Sequence, residues 1–285
     1  MILVDFSQIL ISNVMMEMVQ AKVSSPDIAM FRHMVLNSLR AYRRRFGKEY
    51  GELVICCDGV GDSWRKDVFQ HYKASRKKTK SESQFDWAEI YRQVGILTEE
   101  VQEYFPYKVV RVTKAEGDDV IAIITRHIYE TELMSNILIL SGDKDFQQLQ
   151  KYAKQFDPVR KRWLKCANPH KFLIEHIARG DVSDSIPNCY SSDDTFVTCK
   201  RQKSMTKVRV KAILDAENLK ETLTADQLRN YHRNETLISF EKIPKRVTES
   251  VISNFEEQVP ADRSKLLTYF VQNGLKVLFD RIQDF

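Results

Sequence analysis

No stretch of the chain approaches the roughly 18 consecutive apolar residues that a membrane-spanning helix needs. No Walker-type glycine loop occurs, which excludes that cradle for a nucleoside triphosphate. No GxSxG occurs and the histidines have no legible partners, so nothing supports a nucleophilic triad. The five cysteines (Cys56, Cys57, Cys166, Cys189, Cys199) form no CxxC pair, so neither a zinc site nor a disulfide framework is expected. A reducing, intracellular compartment fits that usage. The opening MILVDFSQIL lacks a basic leader region and carries Asp5, and reads as a buried first strand rather than a signal peptide. No internal repeat is visible.

What is present is 285 residues, 43% apolar, enough for one large core or a core plus a smaller lobe. The net charge is +5, and its positive part is clustered. One run holds Arg40, Arg43, Arg44, Arg45 and Lys48, and a second Lys73, Arg76, Lys77, Lys78 and Lys80. A third holds Lys200, Arg201, Lys203, Lys207, Arg209 and Lys211. Each alone reads equally as a solvated face. Together, around acidic patches, they suit a polyanion whose phosphates meet metal ions.

Apolar, β-branched runs at 2–6, ELVICCD, KVVRVT and NILILS predict four strands separated by helical patterns. That alternation predicts a mainly parallel sheet with helices on both faces. SSPDIAMFRHMVLNSLRAYRRRFG reads as a helix capped by Ser25, with Pro26 at its first position and Gly47 past its end. Its face is Ile28, Phe31, Val35, Leu39, Tyr42 and Phe46. Residues 64–84 are polar and basic, either a disordered insertion or an element that orders on nucleic acid. A helix follows over 85–104. Beyond Asp181 the periodicity is helical, with 188–204 a loop. The expected division is 1–185, an α/β domain with a basic stretch at about 64–95, and 186–285, a smaller helical domain.

Five acidic patches carry the chemistry: Asp5, Asp58, the Glu116/Asp118/Asp119 group, Asp143 with Asp145, and Asp181 with Asp184. The first, second and fourth follow strand runs, where open α/β sheets bind ligands. Glu116 and Asp119 share a helix face, and Asp118 points elsewhere. Asp143 and Asp145 are aimed alike if the extended geometry persists, and Asp181 and Asp184 sit on a helical turn. Oxygen ligands with no His or Cys nearby favour Mg2+ or Mn2+ over zinc. Taken singly, Asp5 reads also as a turn or cap residue, Glu116–Asp119 as helix N-terminal acids, and SGDKDF as a turn plus cap.

Over nearly its whole length the chain resembles the 5′-nuclease (flap endonuclease) family, in particular its bacteriophage ribonuclease H branch. The resemblance lies in LVDFSQI, VICCDG, WRKD…YKASRKK, FDW, EGDDVIAI, LSGDKDFQQL, GDVSDSIPN, NETLISFEKIP and TYFVQNGLKVL. It implies a PIN-like α/β fold with a basic helical arch, and a metal-dependent 5′-to-3′ exonuclease and flap endonuclease. It further implies removal of RNA primers and adjacent DNA by two Mg2+ ions, replaceable by Mn2+. On that resemblance Asp5, Asp58, Asp118 and Asp143 surround the first metal. Glu116, Asp145, Asp181 and Asp184 reach the second directly or through water, and Asp119 belongs to the same motif. Tyr72 would stack a base, while Lys73 and Arg76 would meet the scissile phosphate, with Lys77 beside them. The family's glycine-rich duplex-binding turn is absent, and Lys200, Arg201, Lys203, Lys207 and Arg209 would replace it. Implied partners are DNA and RNA–DNA hybrids at 5′ flaps, forks and nicks, plus a single-strand binding protein or sliding clamp. The protein would be a monomer in the cytoplasm of an infected bacterium. The alternatives are a PIN-type ribonuclease and a non-catalytic junction-binding module.

Overall fold

A computed structural model describes residues 1–131 and 136–285, with only the backbone of Lys77 and Lys78. The N-terminal strand β1 (Ile2–Asp5) is central, as its fully apolar ILV start requires. On one side lie β2 (Leu53–Cys57) and β3 (Lys108–Arg111), both parallel to it. On the other lies β4 (Leu138–Leu140), then β5 (Lys154–Asp157), also parallel, and antiparallel β6 (Arg162–Leu164) at the edge. The last two strands were not expected. KQFD and RWL are short, and β6 is mostly exposed.

Helices cover both faces. Between β1 and β2 run α1 (Phe6–Ala21) and α2 (Ile28–Tyr50). Helix α1 was not expected, and it starts directly off β1 with Asp5 as its cap. Helix α2 is capped by Asp27, which accepts from Met30 N, rather than by Ser25, and passes through Gly47 to Gly51, where φ is +85°. Then come α3 (Trp64–Val68), α4 (Ala74–Ser81), α5 (Trp87–Tyr104) and α6 (Gly117–Thr131). The basic stretch is thus two short helices and the bend between them.

Strand residues alternate between two cores. Val4, Ile55, Val109, Leu140 and Phe156 face α1, α2 and α5, whereas Leu3, Val54, Val110 and Ile139 face α6. A third core joins Phe69 and Tyr72 to α7 (Pro169–Arg179), α8 (Lys207–Leu214), α9 (Leu219–Thr222) and α10 (Ala225–Ile238). The loop over 188–204 holds neither helix nor strand, as expected. The chain then returns to the sheet. Helix α11 (Lys245–Glu257) places Val247, Val251 and Phe255 in the α6 core. Helices α12 (Ser264–Gln272) and α13 (Lys276–Phe279), with Phe285, complete the opposite core. The helical segment from 186 onward is therefore shared between its own core and both sheet cores. Among the described residues no helix is long and apolar enough to cross a membrane.

Candidate active site

The strand order changes direction at β1, with β2 on one flank and β4 on the other. At such a switch point the loops leaving neighbouring strands part and open a crevice. Asp5 ends β1, Asp58 follows β2, and Asp143 follows β4. Asp118, in the first turn of α6, completes a group that feels its own charge. Burial is the first cause pushing the Asp5 carboxyl up to about 6, and Asp58 and Asp143 add to it. Burial, then Asp143 and Asp5, hold Asp118 well above the ordinary carboxylate range. Four like charges converge, with Lys73 only partly offsetting them at Asp118, an arrangement that hard divalent ions relieve.

The same carboxylates also organise backbone. Asp5 Oδ1 accepts from Gln8 N at 3.0 Å and its Oδ2 from Ser141 Oγ at 2.8 Å. Asp58 accepts from Ser7 Oγ and Gly117 N, both at 2.8 Å. Asp143 caps the turn that follows it, accepting from Asp145 N at 2.9 Å. The cap reading and the site reading of these acids therefore hold together. Close packing fixes their loop, since a Cβ on Gly142 would lie 2.8 Å from the Asp157 carboxyl carbon.

Asp119 departs from expectation. It is fully buried and accepts from Trp64 Nε1, Glu116 N and both terminal nitrogens of Arg65, at 2.7–3.0 Å. Its oxygens are committed, so it is a structural anchor rather than a metal ligand. The shared face of Glu116 and Asp119 is real, but it points at Arg65. Arg65 is 3% exposed, and also donates to Glu116 and, through Nε, to Leu237 O at 2.8 Å. Burial opposes its charge, but Asp119, Tyr72 and Glu116 outweigh that and raise its pKa.

The basic stretch closes onto the acids. Lys73 pairs with Glu116, and Arg76 with Asp184. Burial alone would raise Glu116, yet Lys73 and Arg65 hold it below its ordinary value. Tyr72 is 3% exposed, and its hydroxyl lies 2.8 and 3.0 Å from carboxylate oxygens of Glu116 and Asp184, which share its single proton. Its ring lies in the third core, so in this conformation it cannot stack a base. The side chain of Lys77 lies outside the described residues.

Asp181 and Asp184 are not on a helical turn. They lie in a tight turn closed by paired backbone bonds between Asp181 and Ile186. Gly180, at φ +66°, makes the reversal, and a Cβ there would stand 2.3 Å from Ile186 O. The two carboxylates part. Asp184 faces Tyr72 and Arg76, while Asp181 meets Lys144 at 2.8 Å, Ser183 Oγ at 2.6 Å and His176 Nε2 at 3.2 Å. Burial opposes the Asp181 charge, but those three partners hold its carboxyl far below the usual range.

His176 was missed. The sequence offered it no partner, yet its ring stands between Asp181 and Asp145, with Nδ1 3.3 Å from Asp145 Oδ1. Burial is the first cause lifting Asp145 to about 7, with Asp143 and Asp181 adding to it against His176. One ligand atom from each of Asp145, His176 and Asp181 lies within 4.8 Å of the others. The expectation of oxygen donors with no His nearby fails at this end of the site.

The third basic run is dispersed. Lys200 pairs with Asp194, and Arg209 donates to Ser204 O while lying 4.6 Å over the Tyr190 ring. Arg201 and Lys203 are exposed. Lys207 lines a groove of about 630 Å³ between α7 and α8, with Lys171, Arg179 and Lys211.

A mainly parallel sheet with a carboxylate cluster at its switch point, flanked by cations, defines a metal-dependent phosphodiester hydrolase. Residues 4–173 match the family model described as the 5′-3′ exonuclease N-terminal resolvase-like domain, and residues 169–285 that of the T4 RNase H C terminal. The chain is 32% identical to the ribonuclease H of Enterobacteria phage T4, over 99% of this chain and 95% of that protein. Its fold matches a bacteriophage T5 flap endonuclease in a pseudo-enzyme–product complex with DNA and metal ions. There the TM-score is 0.61 and the identity 14%, covering 90% of this chain and 99% of the other. It matches equally the T5 5′-exonuclease with bound zinc, at TM-score 0.61 and 13% identity, covering 90% and 98%. The chain belongs to the 5′-nuclease family that these two models describe, and it is a nuclease.

Proposed function

We propose that this nuclease cuts at 5′ ends and junctions by a two-metal mechanism. The observation that carries the reading is the convergence of Asp5, Asp58, Asp118 and Asp143 from separate elements. Buried, mutually repelling carboxylates fit hard dications, and Mg2+ is the proposed resident, with Mn2+ able to substitute. Bound ions would polarise the phosphodiester, supply hydroxide and stabilise the leaving oxygen.

The chain's own residues do the rest. Asp5, Asp58, Asp118 and Asp143 would hold the first ion, and Asp145 the second. Glu116 and Asp184 would reach the second through water, and Asp181 through His176. Lys73 and Arg76 stand beside the acids, and on substrate they would exchange Glu116 and Asp184 for the scissile phosphate. Glu116 and Asp184 would then be free to hold water. The groove with Lys207 and Lys211, and Arg201, Lys203, Arg209 and Lys200 beyond it, would track duplex phosphates. The proposed substrates are 5′ flaps, forks and nicked duplexes of DNA and RNA–DNA hybrid; the flap endonuclease and ribonuclease H among the phage relatives support flaps and hybrids. The enzyme would act as a monomer in the host cytoplasm, beside a single-strand binding protein or sliding clamp.

The test is cleavage mapping on a labelled 5′ flap and an RNA–DNA hybrid, with and without Mg2+. Cuts at the junction that vanish in EDTA are expected. Cleavage of unstructured RNA alone would favour a PIN-type ribonuclease, and junction binding without cleavage a non-catalytic module.

A further inference from the structure

We propose that His176 is a nitrogen ligand of the second metal, so that this half of the site prefers Mn2+ and other first-row transition dications to Mg2+. The inference deepens the nuclease reading and rests on it for the metal's role.

His176 sits near the end of α7, 6% exposed, and faces the turn that carries Asp145. Its Nε2 lies 3.2 Å from Asp181 Oδ2. Asp181 also meets Lys144 at 2.8 Å and Ser183, whose Oγ and N donate at 2.6 and 2.8 Å. An Nε2–H donated to that carboxylate leaves the Nδ1 lone pair facing Asp145 Oδ1. Neither Nδ1 nor that oxygen has a hydrogen-bond partner, and both are buried. Two acceptors thus confront one another out of reach of solvent, a costly arrangement unless something electropositive serves both. Their 3.3 Å separation suits adjacent ligands on one ion. Atoms about 2.0–2.2 Å from a metal and ~90–110° apart stand roughly 3–3.5 Å from each other.

The carboxylate behind the imidazole completes the pattern. Metal-bound histidines generally donate their other ring N–H to a carboxylate, which sets tautomer and orientation. Asp181 is then an orienting residue, its oxygens already taken by Lys144, Ser183 and His176. Imidazole suits first-row transition ions, whereas Mg2+ favours all-oxygen shells. The first site, built of Asp5, Asp58, Asp118 and Asp143, has no such nitrogen, so the two halves should differ in metal preference.

Electron spin-echo modulation of the full-length protein loaded with Mn2+ tests this directly. Expected is the modulation of a directly bound 14N, absent in His176→Gln. Mn2+ affinity at the second site should also fall by ~10–100-fold in that variant, with Mg2+ affinity changed far less. Wild-type protein without nitrogen modulation would overturn the proposal, as would unchanged modulation in His176→Gln or equal losses for both metals. A protonated His176 merely bridging two carboxylates gives the first of those results. Should His176→Gln misfold, anomalous diffraction from Mn2+-soaked wild-type crystals decides. A manganese peak within bonding distance of Nδ1 supports the assignment, and a peak with oxygen neighbours only defeats it. Nitrogen coupling without flap cleavage would keep this site and sink the flap-cleavage reading. Cleavage without coupling would do the reverse.

Discussion

Asp118 and Asp119 are neighbours in sequence with opposite fates. Asp118 faces other acids and is held protonation-prone by burial and by Asp143 and Asp5. Asp119 is saturated by donors. Asp118→Asn should lower cleavage by about 10³-fold, since a metal ligand carries several kcal/mol of transition-state stabilisation. Junction binding should stay within about threefold, because the cationic surface is untouched. Equal losses in cleavage kinetics and in a binding titration would contradict that division. Asp5 and Asp145, raised to about 6 and about 7, set a pH dependence. An acid whose folded pKa is raised stabilises the fold while protonated, and that contribution fades as pH rises through the folded value. Metal-free protein should therefore lose stability from about pH 4 to 7. Metal binding requires the ionised acids, so the gain in Tm from added Mn2+ should grow over the same window. At hundredfold excess over Kd that gain approaches ~2.7 kcal/mol, several degrees for a chain of this size. Melts showing a constant gain from pH 5 to 8 would refute it.

At the scale of elements, the basic stretch is folded onto the site and held from below. Arg65 in α3 meets Asp119 in α6, and the Lys73 backbone N–H donates to Asp184 O at 2.8 Å. Asp119→Ala leaves a buried guanidinium without its main partner and should cost about 3–5 kcal/mol in denaturant unfolding. A loss below 1 kcal/mol would argue that Asp119 is free for other work. Strands β1 to β4 and most helices were legible, because β-branched runs and three- and four-residue periodicity report burial directly. Strands β5 and β6 were not, being short and partly polar, and α1 was not, because no turn residue separates it from β1. The acids were legible through their positions after strands. Which acid faces which partner was not, since Arg65 lies far in sequence from Glu116 and Asp119, and His176 from Asp145. Neither carries a local signal. His176 is five residues from Asp181, but the turn at Gly180 is what brings them together.

Across the whole molecule, cations stand on α4, at Arg76 and Lys80, and line the groove between α7 and α8. Binding of duplex should weaken with salt, each phosphate contact adding roughly 0.9 to the log–log slope. A flat response would remove the proposed phosphate track. Arg65 ties these regions together, because one side chain binds the start of α6 and, at Leu237, the end of α10. The reach from the groove between α7 and α8 to the carboxylates is thereby a fixed length, as in a ruler pinned at its middle. Arg65→Lys keeps the charge but loses the fork that spans both anchors. Cleavage by that variant should scatter over neighbouring nucleotides on a sequencing gel where the parent cuts at one. In this nuclease, where the strand is broken is a matter of measurement as much as of chemistry.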